Sequence, residues 1–242
     1  MNTDKGTGMS NKAKIREEAK KLNPIDDLMF RTMAEDKDFC EEILRVILSD
    51  PVLTVLESTP QYAGTNPQGR SVILDAKCVL GDGRKIDIEV QKANDTDHQR
   101  RVRYNGAILT TNLTDPGVKF ENVPDVCVVF ISRFDIFNGN RCLYHVDRVI
   151  RETGKVVDNG FEEVYVNTKV KDGSEVSELM EVFVDDAAYS SKFPVTSGSK
   201  RGIKRQRRDN RLCVKSWKRL QKKNVMKVES KAKPASILST LF

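Results

Sequence analysis

The 242-residue chain carries 41 Lys and Arg against 35 Asp and Glu, a formal net charge of +6, and 38% of its residues are hydrophobic. That length and apolar content suit one medium domain, or one domain plus a tail, with enough core to fold. No run of about 18 apolar residues occurs, so no membrane-spanning helix is expected. Met1–Lys21 is polar and lacks the apolar stretch of a secretion signal, so a cytoplasmic protein is expected. The five cysteines (Cys40, Cys78, Cys127, Cys142, Cys213) are scattered, odd in number and never in a Cys-x-x-Cys pair. That pattern points to free thiols in a reducing compartment and away from zinc. The two histidines, His98 and His145, have no ligand-spaced partner, which argues against His-centred metal or triad chemistry.

The charge is unevenly placed. Sixteen of the basic residues fall in residues 191–242, where only Asp209 and Glu229 oppose them. The remainder is net acidic, so the body of the protein does not carry the broad basic footprint of a nucleic-acid binder.

In chain order, residues 1–21 read as a disordered lead and residues 22–190 as one domain. Asn23-Pro24-Ile25-Asp26-Asp27 is a helix start signal ahead of Leu28, Met29, Phe30 and Met33. A second helix is expected over Asp36–Leu48, with Phe39, Ile43, Leu44, Ile47 and Leu48 as its apolar stripe, and Pro51 ends it. Val52–Leu56 reads as a short strand. Ser71–Leu80 and Lys85–Lys92 read as two strands joined by the turn Gly81-Asp82-Gly83-Arg84, a hairpin. Asp97–Leu113 is a helix with Val102, Ala107, Ile108 and Leu109 inward and Arg100, Arg101 and Arg103 outward. Asp125–Ile131 is a continuous apolar run, the mark of a central buried strand. Strands follow at Arg141–Val149 and Glu162–Asn167, then a helix at Glu175–Phe183. Residues 191–242 read as a basic tail, disordered or the product of a frameshift. The order helix, strand, hairpin, helix, strand predicts an α/β core around a mixed central sheet flanked by helices.

The hairpin is the chemically informative part. Alternation along the second strand puts Asp87, Glu89 and Gln91 on one face and Ile86, Ile88 and Val90 on the other. A carboxylate on each arm, Asp75 and Glu89, makes an oxygen-rich cluster of the kind a hard cation such as Mg²⁺ takes, with waters and substrate phosphate completing the shell. The same alternation is also what the solvated face of a half-buried sheet looks like. Asp75 separates the two readings, because it sits among Val72, Ile73, Leu74, Ala76 and Val79, and a buried carboxylate is costly unless paired or bound to metal.

The order of these segments, with Asp on the second core strand and Glu-x-Gln on the third, resembles the PD-(D/E)xK nuclease superfamily, whose core is restriction-endonuclease-like. Pro24-Ile25-Asp26-Asp27-x-x-Phe30, Leu74-Asp75, Asp87-Ile88-Glu89-Val90-Gln91 and Arg100-x-x-Arg103-Tyr104 resemble its Rpn (recombination-promoting nuclease) branch. So do Phe134-Asp135-x-Phe137, Tyr144 and Val166-Asn167-Thr168 further on. Members of this branch are often described as PD-(D/E)xK nuclease family transposases. The resemblance covers about residues 22–197 and stops near Phe193–Ser197.

What the resemblance implies is a metal-dependent DNA endonuclease linked to recombination or mobile elements. Asp75 and Glu89 would hold Mg²⁺, with Mn²⁺ as the alternative ion, and Asp75, Glu89 and Gln91 would be the catalytic set. Gln91 stands at the superfamily's lysine position and can only orient, since its amide carries no charge. Lys92 follows it but points to the opposite face. Arg100, Arg103 and Tyr104 would meet DNA, although the arginines also fit a solvated helix face and Tyr104 equally fits a core position. The alternative functions are a catalytically decayed nuclease fold that only binds DNA or protein, and a plain protein-interaction domain.

Overall fold

Asp36 accepts a hydrogen bond from the Asp38 backbone N–H at 3.0 Å, and this cap starts the second of two helices that open the fold. The computed structural model describes residues 21–209. All of the expected lead but Lys21, and all of the expected tail beyond Asp209, lie outside the described residues. Leu22–Gly202 forms one compact unit. The opening helices are α1 (Asp27–Met33) and α2 (Lys37–Ile47), close to the spans their apolar spacing predicts. Each buries one stripe: Met29, Phe30 and Met33 from α1, and Phe39, Cys40, Ile43, Leu44 and Ile47 from α2.

Six strands and three further helices follow: β1 (Val55–Gly64), β2 (Val72–Leu80), β3 (Lys85–Gln91), α3 (His98–Asn112), β4 (Val126–Ser132), β5 (Leu143–Val146), β6 (Phe161–Asn167), α4 (Glu175–Val184) and α5 (Pro194–Asp209). The strands form one mixed sheet in the order β1-β2-β3-β4-β6-β5. Strands β1, β2 and β3 are antiparallel neighbours; β3, β4 and β6 run parallel; β5 returns antiparallel against β6. Every residue of β4 is buried, as its unbroken apolar sequence requires. Five helices flank the sheet among the described residues. This is the expected α/β architecture, a mixed central sheet flanked by helices.

Helix α3 covers one side of the parallel strands, where Val102 packs with Val128, Phe130 and Tyr165, and Leu109 packs with Leu74 and Val126. Ala107, expected inward, is exposed. Gly106 of α3 lies so close to the Phe161 ring that a Cβ there would stand 2.1 Å from it. Elsewhere the Phe39 ring meets Phe30 edge-on at 5.8 Å and stacks on Phe183 at 6.3 Å, joining α1, α2 and α4.

Three segments differ from the sequence reading. Strand β1 is Val55–Gly64, later and longer than Val52–Leu56. It is an edge strand, so it tolerates Pro60, and Gln61 takes a positive φ of 56° that breaks the alternation a strand is read by. Strand β5 is only Leu143–Val146 within the expected Arg141–Val149.

Helix α5 begins just past the boundary expected at residue 190, yet its first turns pack into the domain. Phe193, Thr196 and Lys200 are fully buried, and Pro194 takes the first helical position, where a missing N–H costs nothing. The Lys200 ammonium donates to the carbonyls of Val182 (2.9 Å), Ala188 (3.1 Å) and Asp185, at and just past the end of α4. A cation there answers orphan carbonyls and the negative end of the helix dipole.

Candidate functional site

The hairpin forms as its sequence predicts. Gly83 takes φ 98°, which a Cβ would disfavour, and the Gly83 N–H donates to the Leu80 carbonyl at 3.1 Å. The ladder between β2 and β3 runs from Val79↔Lys85 to Ala76↔Ile88. One step further it gives way to side chains. The Asp75 N–H donates to Glu89 Oε1 at 2.9 Å, and the Val90 N–H donates to Asp75 Oδ2 at 3.0 Å. Two buried backbone donors thus take carboxylate acceptors instead of carbonyls. That exchange draws Asp75 and Glu89, 5% and 8% exposed, into the gap between the strands.

Asp87 joins them from β3. It is fully buried, its Oδ2 accepts from Asn105 Nδ2 of α3 at 3.3 Å, and its Oδ1 has no hydrogen-bond partner. Burial pushes the Asp87 carboxyl well above the usual carboxylate range, and the Asp75 charge adds to the effect. Burial also raises Glu89 well above its usual range, reinforced by Asp87 and Asp75 and opposed by the Asp75 N–H. At both groups burial outweighs the repulsion between the carboxylates. Lys77, opposite Asp87 in the ladder, does not neutralise it, for its ammonium pairs with Glu57 at 3.2 Å and lies over the Tyr62 ring.

The cation at this cluster is Arg31 of α1. Its Nε and Nη2 donate to Asp75 Oδ1 at 3.1 and 2.6 Å, and Nε also pairs with Asp27 Oδ1 at 2.5 Å. Burial works against its charge, but Asp75 and Asp27 outweigh that and raise its pKa.

Gln91 stands at the end of β3 and bonds neither Asp75 nor Glu89. Its Oε1 accepts from Arg101 Nη1 at 2.8 Å, and its Nε2 donates to the Ala93 carbonyl at 2.7 Å. Arg101 also pairs with Asp95 and Asp97, each at 3.4 Å. Arg100 and Arg103 are exposed on α3. Tyr104 is half-buried; its hydroxyl donates to the Arg70 carbonyl and accepts from Asn66 Nδ2 at 3.2 Å, so it braces the β1–β2 loop. Lys92, as expected, turns away from Gln91, and its ammonium pairs with Asp26 ahead of α1. His98 is a buried ring set against Phe130 and Phe134, its pKa lowered by burial and then by Arg101. A cleft of about 440 Å³ opens at the start of α3, lined among others by Asp95, Asp97, His98 and Arg100.

The structure therefore brings Asp75 and Glu89 together, adds Asp87 and Arg31, and sets Gln91 apart with Arg101. Asp87 was legible from strand alternation. Arg101 lies beside the stripe His98, Val102, Asn105 and Leu109, whose helical spacing marks the inward face of α3. Only the Asp27-x-x-x-Arg31 spacing hinted at Arg31.

A mixed sheet whose second and third strands carry carboxylates into one buried gap defines a nuclease-like α/β protein. The family model described as PD-(D/E)XK nuclease family transposase matches residues 24–181, more than half of the chain, and the chain belongs to that family. No curated protein and no solved structure is significantly similar to it. Among the described residues no helix is long and apolar enough to cross a membrane.

No group of three or more His, Cys, Asp or Glu side chains among the described residues is arranged to hold a metal ion. Asp75 and Glu89 each spend an oxygen on a backbone N–H group, and Asp75 also holds Arg31. The donor set nonetheless fits a hard cation. All candidate ligands are carboxylate oxygens, Asp87 Oδ1 has no hydrogen bond, and a divalent charge would favour the ionised forms of Asp87 and Glu89 that burial disfavours.

Proposed function

We propose that the chain is a metal-dependent DNA endonuclease acting in recombination or in mobile elements, with Asp75 and Glu89 as the residues that hold Mg²⁺ or Mn²⁺. The observation that carries this reading is the meeting of these two carboxylates in the gap where the β2–β3 ladder ends, on the face that also carries the Asp87 oxygen left without a hydrogen bond. Such an ion, when bound, lowers the pKa of a water and stabilises charge on a phosphodiester. Asp75 and Glu89 supply the negative charge that keeps it, and their fixed bonds to backbone N–H groups hold their oxygens in place. Asp87 is a third carboxyl group on the same face of β3 as Glu89.

Gln91 orients by its amide rather than by charge, and Arg101, gripped by Gln91, Asp95 and Asp97, places a guanidinium at that end of β3. Arg100 and Arg103 are exposed on the same helix and suit the phosphate backbone of DNA, adding salt-sensitive affinity. Tyr104 serves by bracing the β1–β2 loop. One observation favours the second reading, a decayed fold that binds DNA without cutting it: a guanidinium already occupies Asp75 Oδ1.

Nicking of supercoiled plasmid separates the two. Mg²⁺-dependent nicking that is lost in both Asp75→Asn and Glu89→Gln supports the enzyme. A salt-sensitive gel shift without nicking supports the binding remnant, and nicking unaffected by Asp75→Asn refutes the assignment of the site.

A further inference from the structure

We infer that Arg31 is the resident counter-cation of the carboxylate cluster and that divalent metal loads by displacing its guanidinium from Asp75. The inference rests on the reading of Asp75 and Glu89 as the cation site and adds to it a positioning residue that competes with the metal. Asp75 Oδ1 is taken by two guanidinium nitrogens, one of them at 2.6 Å. A cation cannot approach that oxygen without meeting a like charge. The Arg31 side chain is only 16% exposed and Asp75 8%, so water screens this contest weakly.

The guanidinium also has somewhere to go. Asp27, one turn earlier on α1 and 44% exposed, already pairs with Arg31 Nε at 2.5 Å. Arg31 can therefore release Asp75 and keep a carboxylate partner near water. The arrangement keeps the buried Asp75 charge compensated in both states, which a carboxylate left alone there would not be. It also lowers metal affinity, because each binding event must first break the Arg31–Asp75 pair.

The test is Mn²⁺ binding followed by electron paramagnetic resonance, with thermal melting in EDTA and in saturating Mn²⁺, on wild type, Arg31→Gln, Arg31→Lys and Glu89→Gln. Arg31→Gln keeps an N–H for Asp75 but removes the charge. It should bind Mn²⁺ at least about tenfold more tightly, one decade being ~1.4 kcal/mol. Its melting point should fall in EDTA and rise with Mn²⁺ by more than that of wild type does. Arg31→Lys, with the charge restored, should stay close to wild type. A merely structural Arg31 would lower stability without tightening metal binding.

If Arg31→Gln binds Mn²⁺ no better than wild type while Glu89→Gln loses it, the displacement is refuted and the carboxylate site stands. If neither wild type nor Arg31→Gln binds Mn²⁺, both ideas fall. Should Arg31→Gln be unfolded in EDTA, refolding on Mn²⁺ supports the exchange, and failure to refold refutes it.

Discussion

Lys200→Met is the sharpest test of where the folded unit ends. The side chain is fully buried, and its ammonium bonds the carbonyls of Val182, Asp185 and Ala188. Methionine has a similar reach and no donor, so the buried Val182 carbonyl loses its charged partner, whereas the Asp185 and Ala188 carbonyls are only partly buried. A buried group left unsatisfied costs ~1–3 kcal/mol. Relief from burying a charge returns part of that, as does partial relaxation of the helix end. The net expectation is a loss of about 1–2 kcal/mol. For a domain of this size each kcal/mol moves the melting point by about 2–4 °C, so Lys200→Met should melt about 2–8 °C lower. Lys192→Met is the control, since Lys192 forms half-exposed pairs with Glu175 and Glu178 at 3.5 and 2.9 Å, each worth less than about 1 kcal/mol. Melting by circular dichroism at pH 7 in EDTA reads both. A Lys200→Met midpoint within about 2 °C of wild type, or no lower than that of Lys192→Met, would refute the argument that residues beyond 190 are integral to the domain.

Further outcomes follow from the carboxylate cluster and its surroundings. Asp75→Asn and Glu89→Gln should each lower Mg²⁺-dependent nicking by at least about a hundredfold, the several kcal/mol a metal contributes, whereas Gln91→Ala should cost only about tenfold; equal, complete loss at all three would contradict the orienting role of Gln91.

Because burial raises the Asp87 and Glu89 carboxyls, the folded protein keeps those protons to higher pH than the unfolded chain does, so metal-free stability should fall as pH rises above the unfolded carboxylate range of about 4. Carboxyls lowered on folding act below that window, as does Asp172, held at about 2 by the Ser174 hydroxyl and the Cys142 N–H. Urea midpoints in EDTA should show this slope flattened in Asp87→Asn, and an unchanged slope would refute the assignment. Gly106→Ala forces a methyl against the Phe161 ring and should cost about 1–3 kcal/mol in urea unfolding; a neutral effect would mean that the ring simply moves aside.

What the sequence determined by itself were the features that depend on neighbours along the chain. The hairpin follows from Gly81–Arg84 between two β-rich runs, the burial of β4 from its unbroken apolar residues, and the shared face of Asp87 and Glu89 from strand alternation. The ordered motifs also carried the family. Each of these is a local rule of period or turn, so no knowledge of the rest of the fold is needed.

The tertiary structure decided what meets what across the chain. Arg31 reaches Asp75 over 44 positions, and Asn105 reaches Asp87 from a helix that follows the hairpin. Nothing in the local spacing of either pair requires it. The ladder breaks at Asp75 because side-chain oxygens there compete for the N–H groups, and alternation alone cannot show which acceptor a donor takes. Lys200 illustrates the same limit from the other side. In a run of basic residues it reads as one more solvated charge, and only the end of α4, folded against it, turns it into a buried donor. Composition counts charges, whereas burial and partners depend on which surfaces the fold brings together.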